Sequence, residues 1–348
     1  MKAFSRRLVE WQAVHGRHGL PWQGTRDPYR LWLAEIMLQQ TQVTTVIPYY
    51  VRFVARFPGV KDLAAADDGE VMRLWSGLGY YARARNLLGA ARCVVERHGA
   101  EFPLAIDALA ALPGIDRSTA AAVVAFATGE PHAVLDGNVE RVLARHAGIA
   151  GPVDRAAVLA RLWAEAESRL PRHGVEAYTQ GLMDLGATLC TRSSPACDRC
   201  PVRADCVARI EERTLELPGR KRAPAAGLRH AAWLVAVAGD AVLVERRGGP
   251  GIWGGLWSLP ELPEGREPRE ACASLGLAAG EARALPPVTH AFTHFTLRAM
   301  PWLLEVRGRR RLPSDVERQW LPLGEAAGAG FPPPLEPFLP PLPPPGPR

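Results

Sequence analysis

The chain has 348 residues, 47 % of them hydrophobic, and 42 Lys+Arg against 36 Asp+Glu give a formal net charge of +6. This composition excludes a disordered chain, and at roughly 150 residues per domain the length predicts two domains with real cores. The mild basic excess suits a polyanionic partner without requiring one.

Residues 1–10 carry three cations with no apolar run behind them, so no secretory signal is expected. Nor is a membrane span, because no window approaches the ~18 apolar residues a span needs. Up to about residue 213, apolar residues recur at spacings of three and four. Leu74, Leu78, Ala82, Leu88 and Val95 form one such series, and Leu159, Leu162, Trp163, Ala166 and Leu170 another. This pattern predicts helices, divided by Phe57-Pro58-Gly59, Leu112-Pro113-Gly114 and Leu170-Pro171. Residues 214–229 hold Pro218, Pro224 and the cations Arg220, Lys221 and Arg222, and read as a linker. From about 230, runs at 232–237, 241–245 and 296–306 predict strands. Ten prolines in the last 17 residues predict a polyproline-like, mobile tail at 332–348.

Four segments carry chemistry. In 31–43, Glu35 is the only charge in an apolar run. Burial there raises a carboxyl pKa and keeps its proton available for general-acid work; the bland alternative is a solvated face or an Arg partner. The second segment is Leu112-Pro113-Gly114-Ile115-Asp116-Arg117-Ser118-Thr119-Ala120. It places a tight turn before a helix, whose free N–H groups and dipole suit phosphate, although an ordinary helix–turn–helix corner has the same look. Asp136, in Val134-Leu135-Asp136-Gly137-Asn138, reads as a helix N-cap. Capping N–H donors are expected to hold Asp136 ionised while Glu35 stays neutral, pushing the two pKa values apart. Finally, Cys190, Cys197, Cys200 and Cys206 run as Cys-x6-Cys-x2-Cys-x5-Cys. Four thiolates accept either zinc or a [4Fe–4S] cluster and imply a reducing compartment, so a cytoplasmic protein is expected. Cys93 and Cys272 read as core thiols.

Together with the Gly77-Leu78-Gly79-Tyr80-Tyr81-Ala82-Arg83-Ala84-Arg85 loop, these segments resemble the endonuclease III and MutY family of DNA glycosylases, and its adenine-removing branch most closely. The likeness extends over nearly the whole chain short of the Pro-rich tail. It implies an α+β multidomain protein: an all-α helix-hairpin-helix domain at 1–213 with an iron–sulfur loop at 190–206, the linker, and a Nudix-like α/β domain at 230–331. It also implies the activity, excision of adenine mispaired with 8-oxoguanine or guanine in double-stranded DNA, by a monomer bound to the nucleoid. The cysteines would then hold a [4Fe–4S] cluster.

The implied roles fall residue by residue. Glu35 protonates adenine N7. Asp136 stabilises the oxocarbenium-like sugar, through a transient covalent bond as in retaining glycosidases. Asn138 orients this pair, and water completes an abasic site. Trp22, Gln23, Val43 and Gln180 line the pocket of the flipped base, while Gln40 and Tyr80 wedge beside 8-oxoguanine. Gly114, Asp116 and Ser118 form the phosphate hairpin. Asp116 stands where the family has glycine. Asp tolerates the left-handed backbone better than most residues, and its carboxylate either turns away from phosphate or weakens the grip. Ser118 stands where the lyases of the family carry their Schiff-base lysine.

In the second half, Gly255, Glu261, Arg269-Glu270 and Leu275-Gly276-Leu277 keep the Nudix frame, but Ala273-Ser274 replace its metal-binding Glu-Glu pair. His290-Ala291-Phe292-Thr293-His294-Phe295 is similar to the family's 8-oxoguanine-contacting loop, and the resemblance implies a reader of 8-oxoguanine, through Phe292, Thr293 and His294, that does not hydrolyse nucleotides. The rival readings each meet an obstacle. An endonuclease III-like glycosylase/lyase is opposed by Ser118, Glu35 and the second half, a Nudix pyrophosphatase by Ala273 and Ser274, and a non-catalytic scaffold by Glu35 and Asp136.

Overall fold

The periodic segments fold as helices and stop where glycine, proline or a cap dictates. A computed structural model describes residues 2–219, 227–248, 253–292, 295–308, 316–326, 331–332 and 335. The helices are α1 (Ala3–His15), α2 (Pro28–Leu38), α3 (Val43–Arg56), α4 (Val60–Ala64), α5 (Asp68–Trp75), α6 (Ala82–His98), α7 (Ile106–Ala110), α8 (Arg117–Thr128), α9 (Gly137–His146), α10 (Ala156–Arg169), α11 (Val175–Thr188) and α12 (Val207–Ile210). Short 3-10 turns at Cys197–Arg199 and Arg203–Asp205 precede α12. No helix among the described residues is long and apolar enough to cross a membrane.

The chain divides into two compact units, Met1–Ala65 with Arg85–Arg222, and Ala66–Ala84 with Ala223–Arg348. The series from Leu74 to Val95 is therefore not one helix. It breaks after α5 at Gly77 and Gly79, with φ of 89° and 76°, and at Tyr80, with φ of 50°.

Asp27 caps α2 by accepting from the Tyr29 N–H, with Pro28 in the first turn, where its missing N–H costs nothing. Helix α8 starts on Asp116 and stops at Gly129 in the left-handed conformation. Leu8, Val139, Leu143, Leu162 and Leu185 meet in a core that also takes in Leu135, Tyr178 and Leu189. Each fully buried Leu or Val there contributes about 1.5–3 kcal/mol, which holds α1, α9, α10 and α11 as a rigid block behind the segment carrying Asp136.

The second unit adds strands β1 (Gly227–Ala238), β2 (Ala241–Arg246), β3 (Trp257–Ser258), β4 (Arg283–Ala284), β5 (Val288–Ala291), β6 (Phe295–Glu305) and β7 (Arg318–Pro322), with α13 (Pro268–Ser274) and α14 (Leu323–Ala326). The sheet order is β3-β2-β1-β6-β4, with β5 also on β6 and β7 also on β2. Strands β1 and β6 pair in parallel from Gly227↔Phe295 to Val237↔Glu305, and the other pairings are antiparallel. Residues 233–236 are buried consecutively because both faces of β1 are covered. Ala271 and Cys272 of α13 pack with Leu234, Ala236, Leu243 and Leu304.

Strand β1 begins inside the segment read as linker, and residues 220–226 of that segment lie outside the described residues. So does most of the Pro-rich tail, although its Leu335 is fully buried, which the expectation of a mobile tail did not foresee.

Candidate active site

Helix α2 buries Leu31, Trp32, Leu33, Ala34, Ile36 and Met37, leaving half-buried Glu35 to face a cavity of about 470 Å³. Burial pushes the Glu35 carboxyl up to about 8, and the nearby Asp136 and Asp116 carboxylates push in the same direction. Every influence on it favours the neutral form, so Glu35 carries a proton at neutral pH. Trp22, Gln23, Val43 and Gln180 line the same cavity. Trp22 is buried and meets Tyr50 edge-on at 5.3 Å. Gln23 is committed to the wall: its Oε1 accepts from the Leu20 N–H at 3.0 Å and its Nε2 donates to the Arg17 carbonyl at 2.9 Å.

Asp136, Asn138, Ser118, Gln40 and Tyr80 are not in that lining. Asp136 caps α9, its Oδ1 accepting from the N–H groups of Asn138 at 2.9 Å and Val139 at 2.7 Å. The cap is as expected, but its effect is not. Burial outweighs the two N–H donors and the Arg141 and Arg17 cations, and the Asp136 pKa is raised rather than held at its ordinary value. The pair is still asymmetric. The backbone N–H donors and the Arg141 and Arg17 cations favour the Asp136 anion, whereas burial and the neighbouring carboxylates favour the neutral form of Glu35.

Asp116 corrects a second expectation. Its φ of −89° and ψ of 174° are extended, not left-handed, and its carboxylate turns back to accept from the Thr119 N–H at 2.7 Å. An N-cap requires this geometry, and aspartate fills it better than glycine. The left-handed residue of the hairpin is Gly114, φ 77°, where a Cβ would lie 2.7 Å from the Asn86 Cβ. Gln39, at the end of α2, donates through Nε2 to the Thr119 hydroxyl at 3.3 Å and to the Gly114 carbonyl at 3.4 Å. Ser118 spends its hydroxyl oxygen on the Leu135 N–H at 3.0 Å, fixing the residue before Asp136.

Gln40 and Tyr80 both adopt positive φ, and both are exposed, Tyr80 by 48 %. Left-handed backbone costs a non-glycine residue about 1–2 kcal/mol. Around Tyr80 the surrounding turn bears that strain. Trp75 Nε1 donates to the Gly79 carbonyl at 3.0 Å, and Arg83 donates to Leu78 and Gly79 carbonyls while lying over the Trp75 and Tyr80 rings.

Cys190, Cys197, Cys200 and Cys206 line one small cavity. Burial, and in part the neighbouring thiols, raise the pKa of Cys197, Cys200 and Cys206, Cys200 to about 12. Four thiolates would repel one another there, so the donor set calls for a strongly cationic guest. No three His, Cys, Asp or Glu side chains among the described residues gather for a single metal ion. Four thiols round a common cavity can hold a metal group, and both zinc and an iron–sulfur cluster accept four sulfur ligands.

Two arginines that the sequence did not single out tie this loop to α9. Arg141 donates to the Cys190 and Gly186 carbonyls at 2.7 and 2.6 Å and to Asn138 Oδ1 at 2.9 Å. Arg145, 2 % exposed, donates to the Leu217, Thr191 and Arg192 carbonyls and to Cys190 Sγ. Their partners outside α9 lie 45 to 72 residues away, beyond the reach of periodicity. A third unforeseen group is Asp184, whose side chain is fully buried against Arg17 at 2.7 Å.

The HhH-GPD superfamily of base excision DNA repair proteins matches residues 33–167, and the NUDIX domain matches 231–340. An adenine DNA glycosylase of Buchnera aphidicola from Schizaphis graminum is 32 % identical over 97 % of both chains. Another from Mus musculus is 41 % identical over 63 % of this chain and 44 % of its own. The chain belongs to the adenine DNA glycosylase family. A solved thermostable thymine-DNA glycosylase superposes with a TM-score of 0.54 at 27 % identity, covering 60 % of this chain and 95 % of its own. The α+β organisation expected of the sequence, a helical glycosylase domain followed by a Nudix-like sheet, is the one observed.

In this glycosylase the second unit carries an aromatic cluster near the start of β6. Phe292 stacks on Phe295 at 4.6 Å, His290 meets Phe292 edge-on at 4.6 Å, and Arg229 lies over Phe295 at 4.4 Å. Thr293 and His294 lie outside the described residues. On α13, Ala273 has no ligating atom and Ser274 turns its hydroxyl to the Ala271 carbonyl at 2.8 Å. The oxygen donors a hard cation needs at these positions are missing.

Proposed function

We propose that this adenine DNA glycosylase excises adenine paired with 8-oxoguanine or guanine in duplex DNA, with Glu35 as general acid and Asp136 as the stabiliser of sugar charge. The observation that carries this reading is a carboxyl with a pKa of about 8 facing a cavity with room for a purine base, lined by Trp22, Val43 and Gln180. A base inside the stack is out of reach, so adenine is extruded into that cavity. Glu35 gives its proton to N7 and makes adenine a leaving group. The C1′–N9 electron pair departs with the base, and the anionic Asp136 faces the cationic sugar, directly or as a transient ester. Water then adds at C1′, gives its proton to the now-ionised Glu35 and frees the Asp136 carboxylate, leaving an abasic site. Asn138, held by Arg141, keeps the Asp136 turn in register.

The exposed Gln40 and Tyr80 are assigned as wedges, and Gly114, Asp116 and Ser118 as the phosphate hairpin. Phe292, Thr293 and His294 are assigned as the reader of 8-oxoguanine. Cys190, Cys197, Cys200 and Cys206 are assigned a [4Fe–4S] cluster, whose part here is to brace the loop that Arg141 and Arg145 join to α9. A lyase reaction through residue 118 is disfavoured, because a serine hydroxyl forms no Schiff base.

The test is single-turnover excision from A:8-oxoG, A:G, A:C and C:8-oxoG duplexes, followed by alkaline cleavage. Excision confined to adenine, with strand breaks only after alkali, is expected. Breaks without alkali, or attack on C:8-oxoG, would sink the reading.

A further inference from the structure

Gln180 and Asp184 stand one turn apart on α11. The assignment of the cavity to adenine, on which this inference rests, leaves Asp184 without a task. Three donors converge on its fully buried carboxylate: the Arg17 N–H at 2.8 Å, Arg17 Nε at 2.7 Å and Gln180 Nε2 at 2.8 Å. Arg17 and Gln180 line the cavity and Asp184 does not.

A glutamine amide has two unlike ends, and a carboxylate paired with arginine only accepts hydrogen bonds. We propose that Asp184 is a positioning residue that fixes the sense of the Gln180 amide, so that its carbonyl oxygen is the acceptor offered to the exocyclic amino group of adenine. The reversed amide would set its oxygen against the buried carboxylate, an acceptor facing an acceptor with no water to relieve it. Hypoxanthine carries an oxygen where adenine carries its amino group, so it would meet the Gln180 oxygen lone pair to lone pair. Discrimination between a 6-amino and a 6-oxo purine thus arises from a residue that never touches the base.

Asp184→Asn tests this in the full-length protein. The Asn side chain keeps the shape but both donates and accepts, so the Gln180 amide is satisfied either way round. Single-turnover excision is compared on duplexes carrying adenine, hypoxanthine or unsubstituted purine opposite the same base. The adenine-to-hypoxanthine ratio is expected to fall about tenfold or more, the scale of one good polar base contact. The rate on purine, which carries neither group at C6, is expected to change far less. Equal slowing on all three bases would mark a merely structural role and overturn the proposal, as would an unchanged ratio.

The double variant Gln180→Glu/Asp184→Asn returns one carboxylate to the pair and again shows the base only oxygen, so it is expected to restore the adenine preference. It carries the same question if Asp184→Asn alone does not fold, and failure to restore the preference overturns the proposal. Gln180→Met separates this inference from the reading beneath it. If Gln180→Met keeps the full ratio, Gln180 does not contact the base and both fall. If it loses the ratio while Asp184→Asn keeps it, the cavity assignment stands and Asp184 loses its role.

Discussion

Helices α2 and α11 each set one carboxyl among apolar neighbours, Glu35 in Leu33-Ala34-Glu35-Ile36 and Asp184 in Leu182-Met183-Asp184-Leu185. The two side chains end in opposite conditions. Among the described residues no cation lowers the Glu35 pKa, two other carboxylates raise it, and it takes up a proton. Asp184 is buried completely, yet receives a guanidinium, a backbone N–H and an amide. Burial alone therefore does not decide what an interior carboxyl does; the donors that reach it decide. One helix ends up presenting an acid, the other a fixed acceptor that arranges its neighbours.

The sharpest test of the contrast removes the acid. Glu35→Gln keeps the shape and hydrogen bonding without a transferable proton, and excision is expected to fall by about 10²–10⁴ or more while A:8-oxoG duplex binding persists. Near-normal single-turnover rates would make Glu35 no more than a buried carboxyl.

Arginine is the next lever, because Arg145 serves the cysteine loop as Arg17 serves Asp184. Arg145→Lys keeps the charge and loses the fork, stranding several buried carbonyls at about 1–3 kcal/mol each. A lower melting temperature and lower iron content as isolated are expected. Full iron occupancy with unchanged melting would show that the loop stands without it.

Acidity itself gives a third handle. Glu35 must be protonated to act, so single-turnover excision should decline as pH rises through ~8, where the acid loses its proton. Its raised pKa also has a cost in stability. A carboxyl whose folded pKa exceeds its unfolded one weakens the fold increasingly as pH rises from the unfolded value of 4.5 to the folded value of about 8. Glu35→Gln should therefore melt above the wild type at pH 8.5, with the gap closing toward pH 5. An equal gap at both pH values would contradict the raised pKa.

The smallest expected effect concerns Asp116, a carboxylate turned toward a helix N-terminus. Asp116→Gly removes a negative charge from the proposed phosphate hairpin at the cost of a few tenths of a kcal/mol in capping. Duplex affinity should rise a few-fold, most visibly at low salt. It should also lower the pH at which excision declines, since the Asp116 carboxylate is one of the groups raising Glu35. Unchanged affinity across salt would place the phosphate elsewhere.

Much of this was legible in the chain, for reasons that also explain what was not. Helical periodicity and Gly/Pro breaks located the helices, and a lone charge in an apolar run located Glu35. The same signal was present at Asp184, but its partner Arg17 lies 167 residues away and no local pattern announces it. Asp136 was readable as a cap, whereas its pKa is a sum of burial and charges from several helices. Asp116 was read from the glycine it replaces, and its true geometry follows from the helix it starts. The parallel pairing of β1 with β6 joins segments with most of the sheet between them in sequence, so strand runs could be recognised but not their order.

Arg145 also bears on where this protein can be cut and how it is made. Its carbonyl partners arrive 46 to 72 residues later in the chain, the last being Leu217, and Pro152 bridges to Gly219 just beyond. On a ribosome adding roughly 5–20 residues per second, the guanidinium waits several seconds for partners that neutralise its burial. The helical unit is thus fastened from its C-terminal end. A fragment ended at residue 213 omits that fastening, and one ended at 219 keeps it.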